Sequence, residues 1–417
     1  MFGLIDGNSF YCSCERAFEP KLRGRPVVVL SNNDGCIIAR TSEAKALGLK
    51  MGEPWHLVQS RPGIKTVEWR SSNYELYGDM SRRMYQVLVN IFPAVEPYSI
   101  DEMFLDLRGL RTAYALCHTA RNDVRRIAKI PTCVGIGHTK TIAKLANGIA
   151  KAQQNWGGVC DMSDLEVRDS IYRSTALSEV WGMGPASVEK AAKLGAFSIA
   201  DFIALPVSLI RKSMTVTGLR THAELQGQSS LAMAFAPPPK KMLAVTRAFG
   251  RAVTTYEELH QAVATYAEIA GHRLRATGLC AAGMQVFIQT NEFAPKDPQY
   301  AQTRTFGIEP TADTRSLMGS ALRALKVMWR PGYKYAKAGI VLLDLYPPYG
   351  LPKSLFPSRD PRRSASLMHT MDTLTERYGR GAIRIASTAP EGSWNMRRRR
   401  LSPRYTTAAD EMLTVGP

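Results

Sequence analysis

Three carboxylate side chains stand where an ordinary buried strand would not tolerate them. Asp101 and Glu102 are adjacent in YSIDEMFLDL, and Asp6 ends the apolar run MFGLI. Because successive side chains of a strand point to opposite faces, a doublet inside a regular strand would bury one unpaired carboxylate, which is costly. The doublet therefore predicts either a tight hairpin tip, which aims both carboxylates at one spot, or a solvated turn.

A hairpin tip beside the strand that carries Asp6 would bring all three carboxylates to one end of a sheet. Mg²⁺ prefers oxygen ligands and usually takes one or two carboxylates together with substrate phosphates. A pair of such ions activates an attacking hydroxyl and neutralises a leaving pyrophosphate. The phosphates also need cationic side chains, for which Arg40, Lys45 and Lys151 are candidates, although each alone is more often a surface charge.

The pattern of apolar residues predicts the elements that position these side chains. Short strands are expected over 1–6 and 26–33, and a long amphipathic helix is expected over 74–92. Residues 132–151 read as a strand followed by a helix. The order strand, helix, strand, strand, helix, strand indicates a ferredoxin-like sheet with an insert at about 20–70, and hence the α+β class.

The second half of the chain has a different pattern. A tight turn at Gly182 and Gly184 joins two helices, which is typical of a helix-hairpin-helix whose backbone N–H groups suit a phosphate. An ordinary helical hairpin fits the same pattern. After the stiff APPPKK stretch, three alternating segments and two helices over 242–345 predict a small sheet covered by helices on one face. Its open face is expected to present Arg247, Arg251, Lys334 and Lys337.

The composition limits the class of partner and the compartment. Lys and Arg total 54 against 36 acidic residues, a net charge of +18 that favours a polyanionic partner. The chain has no apolar run of about 18 residues, and its opening lacks a basic region, so we expect neither a transmembrane helix nor a signal peptide. The seven cysteines have no metal-type spacing. We therefore expect a cytoplasmic protein of about three or four domains that does not act at a membrane.

Several segments follow one another in a specific order: DGNSFYCSCE, PVVVLSNNDGCIIARTSEAKALGLKMGEPW, SSNYELYGDMS, YSIDEMFLDL, VGIGHTKTIAKLAN and VWGMG. In order and spacing they closely resemble the Y-family translesion DNA polymerases, and most of all the UmuC type. The likeness covers essentially the whole chain, including the late segment LSPRYTT. Each motif alone is weak, but their common order makes the resemblance highly specific.

The resemblance implies an α+β multidomain protein, a right-hand polymerase with a ferredoxin-like palm, small fingers, a helix-hairpin-helix thumb and an α/β little-finger domain. The implied ranges are 1–20 and 71–165 for the palm, 21–70 for the fingers, 166–232 for the thumb, 241–345 for the little finger and 346–417 for a C-terminal partner-binding tail.

The resemblance also implies roles for single residues. It places Asp6, Asp101 and Glu102 on two Mg²⁺ ions, for which Mn²⁺ can substitute, with the backbone carbonyl of Gly7 as a further ligand. Tyr11 falls at the steric gate, where a ring under the sugar leaves no room for a 2′-hydroxyl. The alternative interpretation of Tyr11 is a core aromatic on the first helix.

Further residues fall on positions that the family uses to bind nucleotide, DNA or a sliding clamp. The nucleotide-binding set is Phe10, Ile38, Ala39, Arg40, Lys45 and Lys151. The DNA-binding set is Gly182, Gly184, Arg247, Arg251, Lys334 and Lys337. For the clamp, LPKSLFPS keeps Leu355 and Phe356 of the family's peptide but has Pro352 where the family has Gln.

The implied function is error-prone translesion synthesis on primed and damaged DNA from dNTPs, in the SOS response of a bacterium. The implied partners are a processed UmuD-like dimer and the RecA filament, with a sliding clamp as a further candidate, and the implied place is the cytoplasm, at the nucleoid when active. One alternative is a non-catalytic regulator that binds DNA and RecA on a decayed polymerase fold. The complete set Asp6, Asp101, Glu102 and Tyr11 argues against decay. Another alternative, a palm used for nucleotide cyclisation, agrees poorly with the thumb hairpin and the positive charge.

Overall fold

The computed structural model describes residues 1–236, 239–348, 359–379, 381–389 and 392–413. The chain divides into two compact units, each of which contains both helices and strands. The first comprises Met1–Ser31, Gly35–Pro237 and Arg400–Pro417, and the second comprises Asn32–Asp34 and Pro238–Arg399. The predicted α+β class is confirmed. Among the described residues, no helix has both the length and the apolar character needed to cross a membrane.

The first unit carries two sheets and a series of helices. Its strands are β1 (Phe2–Gly7), β2 (Val27–Leu30), β3 (Ile37–Arg40), β4 (Glu68–Ser71), β5 (Val95–Pro97), β6 (Glu102–Asp106), β7 (Thr132–Gly137) and β8 (Val159–Asp161). Its helices are α1 (Phe10–Phe18), α2 (Ser42–Ala46), α3 (Trp55–Val58), α4 (Tyr74–Val89), α5 (Ala113–Asp123), α6 (Lys140–Ala152), α7 (Leu165–Ser174), α8 (Pro185–Lys193), α9 (Ile199–Ala204), α10 (Val207–Ser213) and α11 (Val216–Leu225).

The larger sheet has the strand order β5-β6-β1-β7-β8. Its neighbours are antiparallel except for β7 and β8, which are parallel. Every residue of β1 and β7 is buried because the sheet is covered on both faces. On one face Ile5 packs in a core that includes Met84 of α4, and on the other Leu4 packs with Ala143 of α6.

Helix α6 lies unusually close to β7. A Cβ atom at Gly137 would come within 2.7 Å of the Ala143 backbone nitrogen, and one at Gly135 would overlap the backbone of α6. The side-chain amide of Asn147 donates to the carbonyl oxygens of Leu4 at 3.2 Å and Cys133 at 2.8 Å. These contacts fix the height and rotation of α6 above the sheet, which matters for the side chains that it carries.

The remaining parts of the first unit have cores of their own. The insert between α1 and α4 forms a three-stranded sheet in the order β3-β2-β4, with Val28, Ile37 and Trp55 in its core. After β8, helices α7 to α11 pack around Tyr172 and Phe202. The predicted turn before α8 is present, with Gly182 at a φ of 89° that favours glycine.

The second unit is one sheet with helices. Its strands are β9 (Leu243–Val253), β10 (Cys280–Thr290), β11 (Ala301–Thr311) and β12 (Tyr335–Tyr346), in the order β11-β10-β12-β9 with all neighbours antiparallel. Its helices are α12 (Tyr256–Arg275), α13 (Thr314–Met328) and α14 (Pro361–Tyr378). The expectation of three strands was incomplete. Strand β11 was missed because its residues are almost all exposed and lack the apolar alternation that marks a strand.

Candidate active site

The three carboxylates lie at one end of the larger sheet. Asp6 of β1 and Glu102 of β6 are opposite each other in the antiparallel register. The backbone N–H of Gly7 donates to the Asp101 carbonyl oxygen at 2.9 Å, and the Ser99 hydroxyl donates to the Asp101 carboxylate at 2.6 Å. Asp101 ends the turn between β5 and β6, and Glu102 begins β6, so the predicted hairpin is confirmed. That it aims both carboxylates at one metal site stays a prediction.

Three lysines of α6 face three carboxylates of the sheet. Lys140 pairs with Glu96 of β5 at 2.5 Å. Lys144 pairs with Glu102 at 2.5 Å, and Lys151 pairs with Asp6. Positions 140, 144 and 151 lie on one face of a helix with 3.6 residues per turn. Helix α6 therefore presents a row of three ammonium groups, here called the lysine rail, to β5, β6 and β1.

Lys144 was not among the predicted site residues. Besides Glu102, its ammonium lies over the rings of Tyr98, 4.9 Å from the centroid, and Trp181, at 5.8 Å. Trp181 of the VWGMG turn also packs edge-on against Tyr98 at 5.4 Å. The spacing of Lys140, Lys144 and Lys151 in KTIAKLANGIAK was the available signal, because it places the three side chains on one helical face.

The electrostatics of Asp6 differ from those of an ordinary surface carboxylate. Burial raises the pKa of Asp6 to about 7, although the Lys151 ammonium acts in the opposite direction. Within the described residues, no three or more His, Cys, Asp or Glu side chains are gathered closely enough to hold a metal ion. Lysine ammonium groups face Asp6 and Glu102 instead. The donor set is nevertheless all carboxylate oxygen, the class that Mg²⁺ prefers, and fits a divalent cation by its chemistry.

Tyr11 lies on α1 in a group of aromatic rings. Its ring is half-buried and stacks on Tyr77 of α4, with centroids 4.6 Å apart and planes 21° from parallel. Tyr74 meets it edge-on at 5.9 Å. Burial raises the pKa of Tyr11 to about 12, so its hydroxyl stays protonated at neutral pH. Phe10 is buried beside it, and a Cβ at Gly7 would lie 2.8 Å from the Phe10 ring, which explains the small residue after Asp6.

The structure brings only part of the predicted nucleotide-binding set together. The Ser9 hydroxyl donates to the Arg40 carbonyl oxygen at 2.8 Å, which holds the start of α1 beside β3. Phe10 and Ala39 therefore share one core, against which Tyr11 and Ile38 pack. In contrast, the Arg40 guanidinium donates to the Leu49 carbonyl, and Lys45 is exposed on α2.

The predicted DNA-binding residues of the second unit do not share one face. Lys337 lies over the Phe287 ring, 5.6 Å from its centroid, on the face away from α12 and α13. Arg247, however, lies two residues from each of the buried residues Val245 and Phe249, so its side chain is on the same, helix-covered face.

Two further cations of that set are engaged within the second unit. Arg251 pairs with Glu258 of α12 and donates to the Ser393 hydroxyl at 2.6 Å. Lys334 pairs with Asp297 at 2.8 Å. The open-face expectation was therefore wrong for Arg247 and Arg251. Of the predicted glycines, Gly182 occupies the positive-φ turn and Gly184 caps α8, while Leu355 and Phe356 lie outside the described residues.

Comparison with known proteins places this site in a family. The model of the impB/mucB/samB family matches residues 5–148, and that of the family's C-terminal domain matches residues 240–352. A domain of unknown function, DUF4113, matches residues 365–415. The chain belongs to the impB/mucB/samB family. The resemblance to Y-family polymerases of the UmuC type is thereby confirmed.

Full-length relatives agree with this membership. Protein ImpB of Salmonella typhimurium is 42% identical over 98% of this chain and 97% of its own length. Protein UmuC of Salmonella typhimurium strain LT2 is 40% identical over 100% of both chains. DNA polymerase IV of Moorella thermoacetica is 27% identical over 92% of this chain and 94% of its own. The similarity therefore extends across both units and is not confined to the carboxylate site.

Proposed function

We propose that this chain performs template-directed deoxynucleotidyl transfer past DNA lesions, as the error-prone polymerase of a bacterial SOS response. Its family membership makes it a DNA-directed DNA polymerase of the translesion kind. The observation that supports lesion bypass by nucleotidyl transfer is the sheet end at which Asp6, Asp101 and Glu102 lie, with the lysines of α6 above it. Carboxylates and exchangeable ammonium groups in one place suit a substrate that brings both phosphates and cations.

Asp6, Asp101 and Glu102 would hold the divalent cations, and the Gly7 carbonyl is proposed as a further ligand. Bound there, two Mg²⁺ or Mn²⁺ ions supply charge that activates the primer hydroxyl and neutralises the leaving pyrophosphate. The raised pKa of Asp6 supports this, because a buried carboxylate gains most from a neighbouring positive charge.

The lysines of α6 would change partners when substrate binds. Lys151 already faces Asp6 and Lys144 faces Glu102. With divalent cations held by these carboxylates, both ammonium groups would be free to bind phosphate oxygens. Lys151 keeps its proposed role on the triphosphate together with Lys45 and Arg40, and Lys144 joins them as a residue that the sequence pattern missed.

The aromatic group on α1 would select the nucleotide. Tyr11 is proposed as the steric gate, with Phe10 packed beside it and Ile38 and Ala39 covering the nascent base pair. The stack of Tyr11 on Tyr77 supports this role, because a ring that excludes a 2′-hydroxyl must resist displacement.

The domain ranges predicted for palm, fingers, thumb, little finger and tail remain part of this proposal. The turn at Gly182 and Gly184, Lys334 and the open-face Lys337 are proposed to contact the DNA backbone. We further propose a processed UmuD-like dimer and the RecA filament as partners in the cytoplasm. A sliding clamp that binds through Leu355 and Phe356 is a weaker candidate.

Primer extension past a single abasic site tests the proposal directly. Wild type and the Asp101→Ala, Glu102→Ala double variant would be compared with Mg²⁺ and dNTPs, each with and without the UmuD-like dimer and an ATP-loaded RecA filament. We expect extension by wild type and none by the double variant, with equal binding of primed DNA by both. If neither protein extends in any condition while both bind primed DNA in a salt-sensitive way, the polymerase proposal fails and a DNA-binding regulator takes its place.

A further inference from the structure

A second buried carboxylate, Glu15 of α1, has no part in the proposed chemistry. Its side chain is fully buried. Its Oε1 accepts hydrogen bonds from the Tyr77 hydroxyl at 2.6 Å and from the Ser402 hydroxyl at 3.0 Å. Its Oε2 has no hydrogen-bond partner among the described residues. Burial of a carboxylate without a cationic partner is unfavourable, so a well-packed apolar residue would be the more stable choice for mere packing.

Tyr77 joins this carboxylate to the proposed steric gate. Its ring is fully buried and stacks on Tyr11, while its hydroxyl donates to Glu15. Tyr74 meets Tyr77 edge-on at 6.2 Å as well as Tyr11. The rings of Tyr74 and Tyr77 thus form an aromatic wall behind the Tyr11 ring. The hydrogen bond from the Tyr77 hydroxyl to Glu15 fixes the position of the Tyr77 ring in this wall.

Ser402, the other donor to Glu15, belongs to a segment far along the chain that is held at several points. The Asn73 amide donates to the Ser402 carbonyl at 2.9 Å, to its hydroxyl oxygen at 3.1 Å and to the Pro403 carbonyl at 3.2 Å. The same Asn73 caps α4 by accepting from the Leu76 N–H. The segment is thus bound to the first turn of the helix that carries Tyr77.

Two further contacts extend this attachment. The backbone N–H of Ser71 donates to the Arg400 carbonyl at 3.0 Å, and the Arg400 N–H donates to the Ser71 hydroxyl at 3.1 Å. Tyr405 stacks on Phe18 of α1, with centroids 4.8 Å apart and planes 10° from parallel. Residues 400–405, here called the anchor segment, therefore join the end of α1 at Phe18 to the start of α4.

We propose that the anchor segment is part of the nucleotide-selecting wall: Ser402 and Glu15 are positioning residues that hold Tyr77, and through it the Tyr11 ring, against the sugar of the incoming nucleotide. The inference rests on the proposed function, in which Tyr11 is the steric gate. Residues 365–415 match a domain of unknown function. The proposal assigns a role in sugar selection to the anchor segment within that region. The physical reason is that a ring rejects one added hydroxyl only if its support is rigid.

The test is the ratio of kcat/KM for a deoxynucleotide to that for the matching ribonucleotide. It uses the full chain on primed DNA with Mg²⁺, the UmuD-like dimer and the RecA filament. Glu15→Leu removes the shared acceptor, so we expect the ratio to fall roughly tenfold, the scale of an unmade buried hydrogen bond. Glu15→Gln keeps the Oε1 acceptor and should retain the ratio. Ser402→Ala should lower it by a smaller factor.

Two controls separate the inference from its alternatives. Arg404→Ala removes an exposed side chain of the anchor segment that pairs with Glu411 and should leave the ratio unchanged. Tyr11→Ala should relax sugar selection more than any other variant. If Tyr11→Ala relaxes it while Glu15→Leu and Ser402→Ala slow both nucleotides equally, the two residues are merely structural and the inference is overturned.

Failure of the proposed function has a different signature. It appears as no extension by wild type, or as an unchanged ratio in Tyr11→Ala, and either result removes the basis of the inference as well. If thermal unfolding shows that Glu15→Leu does not fold, Ser402→Ala and Tyr77→Phe decide the matter, since each removes one hydroxyl donor and leaves the Glu15 carboxylate in place. An unchanged ratio in both would overturn the inference.

Discussion

Two carboxylates on adjoining elements, Asp6 at the end of β1 and Glu15 within α1, are both buried, and burial raises the pKa of each to about 7. Their partners differ. Asp6 faces the ammonium of Lys151, on a long side chain that is 35% exposed. Glu15 faces the hydroxyls of Tyr77 and Ser402, which are fixed by packing and by the Asn73 amide. The flexible Lys151 side chain can be displaced from Asp6 by another cation. The fixed hydroxyl donors at Glu15 instead keep the Tyr77 ring in one position.

The largest effect is expected when Asp6 is neutralised. Asp6→Asn keeps the size of the side chain but removes its charge, so we expect primer extension to fall by about a thousandfold, as for the loss of a group that stabilises transition-state charge. Folding should survive, because the Lys151 side chain that loses its partner is 35% exposed and water can solvate it. Steady-state extension and urea unfolding would be measured side by side. Asp123→Asn, at an exposed ion pair of α5, is the control, and near-normal extension by Asp6→Asn would refute the metal-site assignment.

Two lysines of the rail differ in exposure: Lys140 is buried, whereas Lys144 is partly exposed. Lys140 and Glu96 are both buried, and their pair also holds the chain after α11 through the Ala232 carbonyl and the Ala234 N–H. Lys140→Met leaves Glu96 unpaired and should lower the free energy of unfolding by roughly 4 kcal/mol. Chemical denaturation measures this change.

Lys144→Met is the matched comparison, since Lys144 is 25% exposed and water can solvate Glu102 in its absence. We expect a much smaller loss of stability for it. The double variant Lys140→Met, Glu96→Leu should regain most of the stability that Lys140→Met loses. Equal stability of Lys140→Met and Lys144→Met would contradict the assignment of Lys140 to a structural role.

Glu15 predicts a pH dependence of stability. Its pKa is raised by burial and by Glu19, and lowered by the hydroxyls of Tyr77 and Ser402 and by Arg70, with about 7 as the outcome. Because this exceeds the unfolded value of 4.5, the folded state holds the proton more tightly. The free energy of unfolding therefore declines as the pH rises from about 4.5 to about 7, by on the order of 3 kcal/mol.

Glu15→Gln isolates this contribution, because the amide does not titrate and other groups cancel in the difference. Urea unfolding of wild type and Glu15→Gln at pH 5 and pH 8 gives the comparison. We expect the variant to gain stability relative to wild type at pH 8. A difference that does not change between the two pH values would show that Glu15 titrates near its ordinary value.

The smallest effect is expected within the anchor segment itself. Ser402→Ala should lower the free energy of unfolding by about 1 kcal/mol, the scale of one intramolecular hydrogen bond. Arg404→Ala should leave the melting temperature unchanged, because its ion pair with Glu411 is solvated and screened. Thermal unfolding of the two variants ranks them. A larger loss for Arg404→Ala would mean that the attachment depends on charge rather than on the buried hydroxyl.

Much of the larger sheet and of the carboxylate site could be predicted from the sequence. The sequence patterns over 1–6 and from residue 132 predict the strands that became β1 and β7, and the doublet Asp101-Glu102 indicates a turn because one strand cannot bury both. These features are local, so they can be recognised from short stretches of sequence.

What was missed depends on tertiary contacts. Strand β11 pairs through backbone groups while its side chains stay exposed, so its sequence has no strand periodicity. The face of Arg247 depends on the strand register, which residue type alone does not fix. The link from Glu15 to Ser402 spans 387 residues, and nothing in either neighbourhood indicates the other.

The contact between Glu15 and Ser402 also determines when this part of the fold can be completed during translation. The wall behind Tyr11 is begun by α1 but completed by Ser402, which is translated 387 residues after Glu15. At a synthesis rate of about 5 to 20 residues per second, the interval is roughly 20 to 80 s. During that time the aromatic wall proposed to select the sugar is incomplete, so the proposed discrimination can begin only after the anchor segment has left the ribosome.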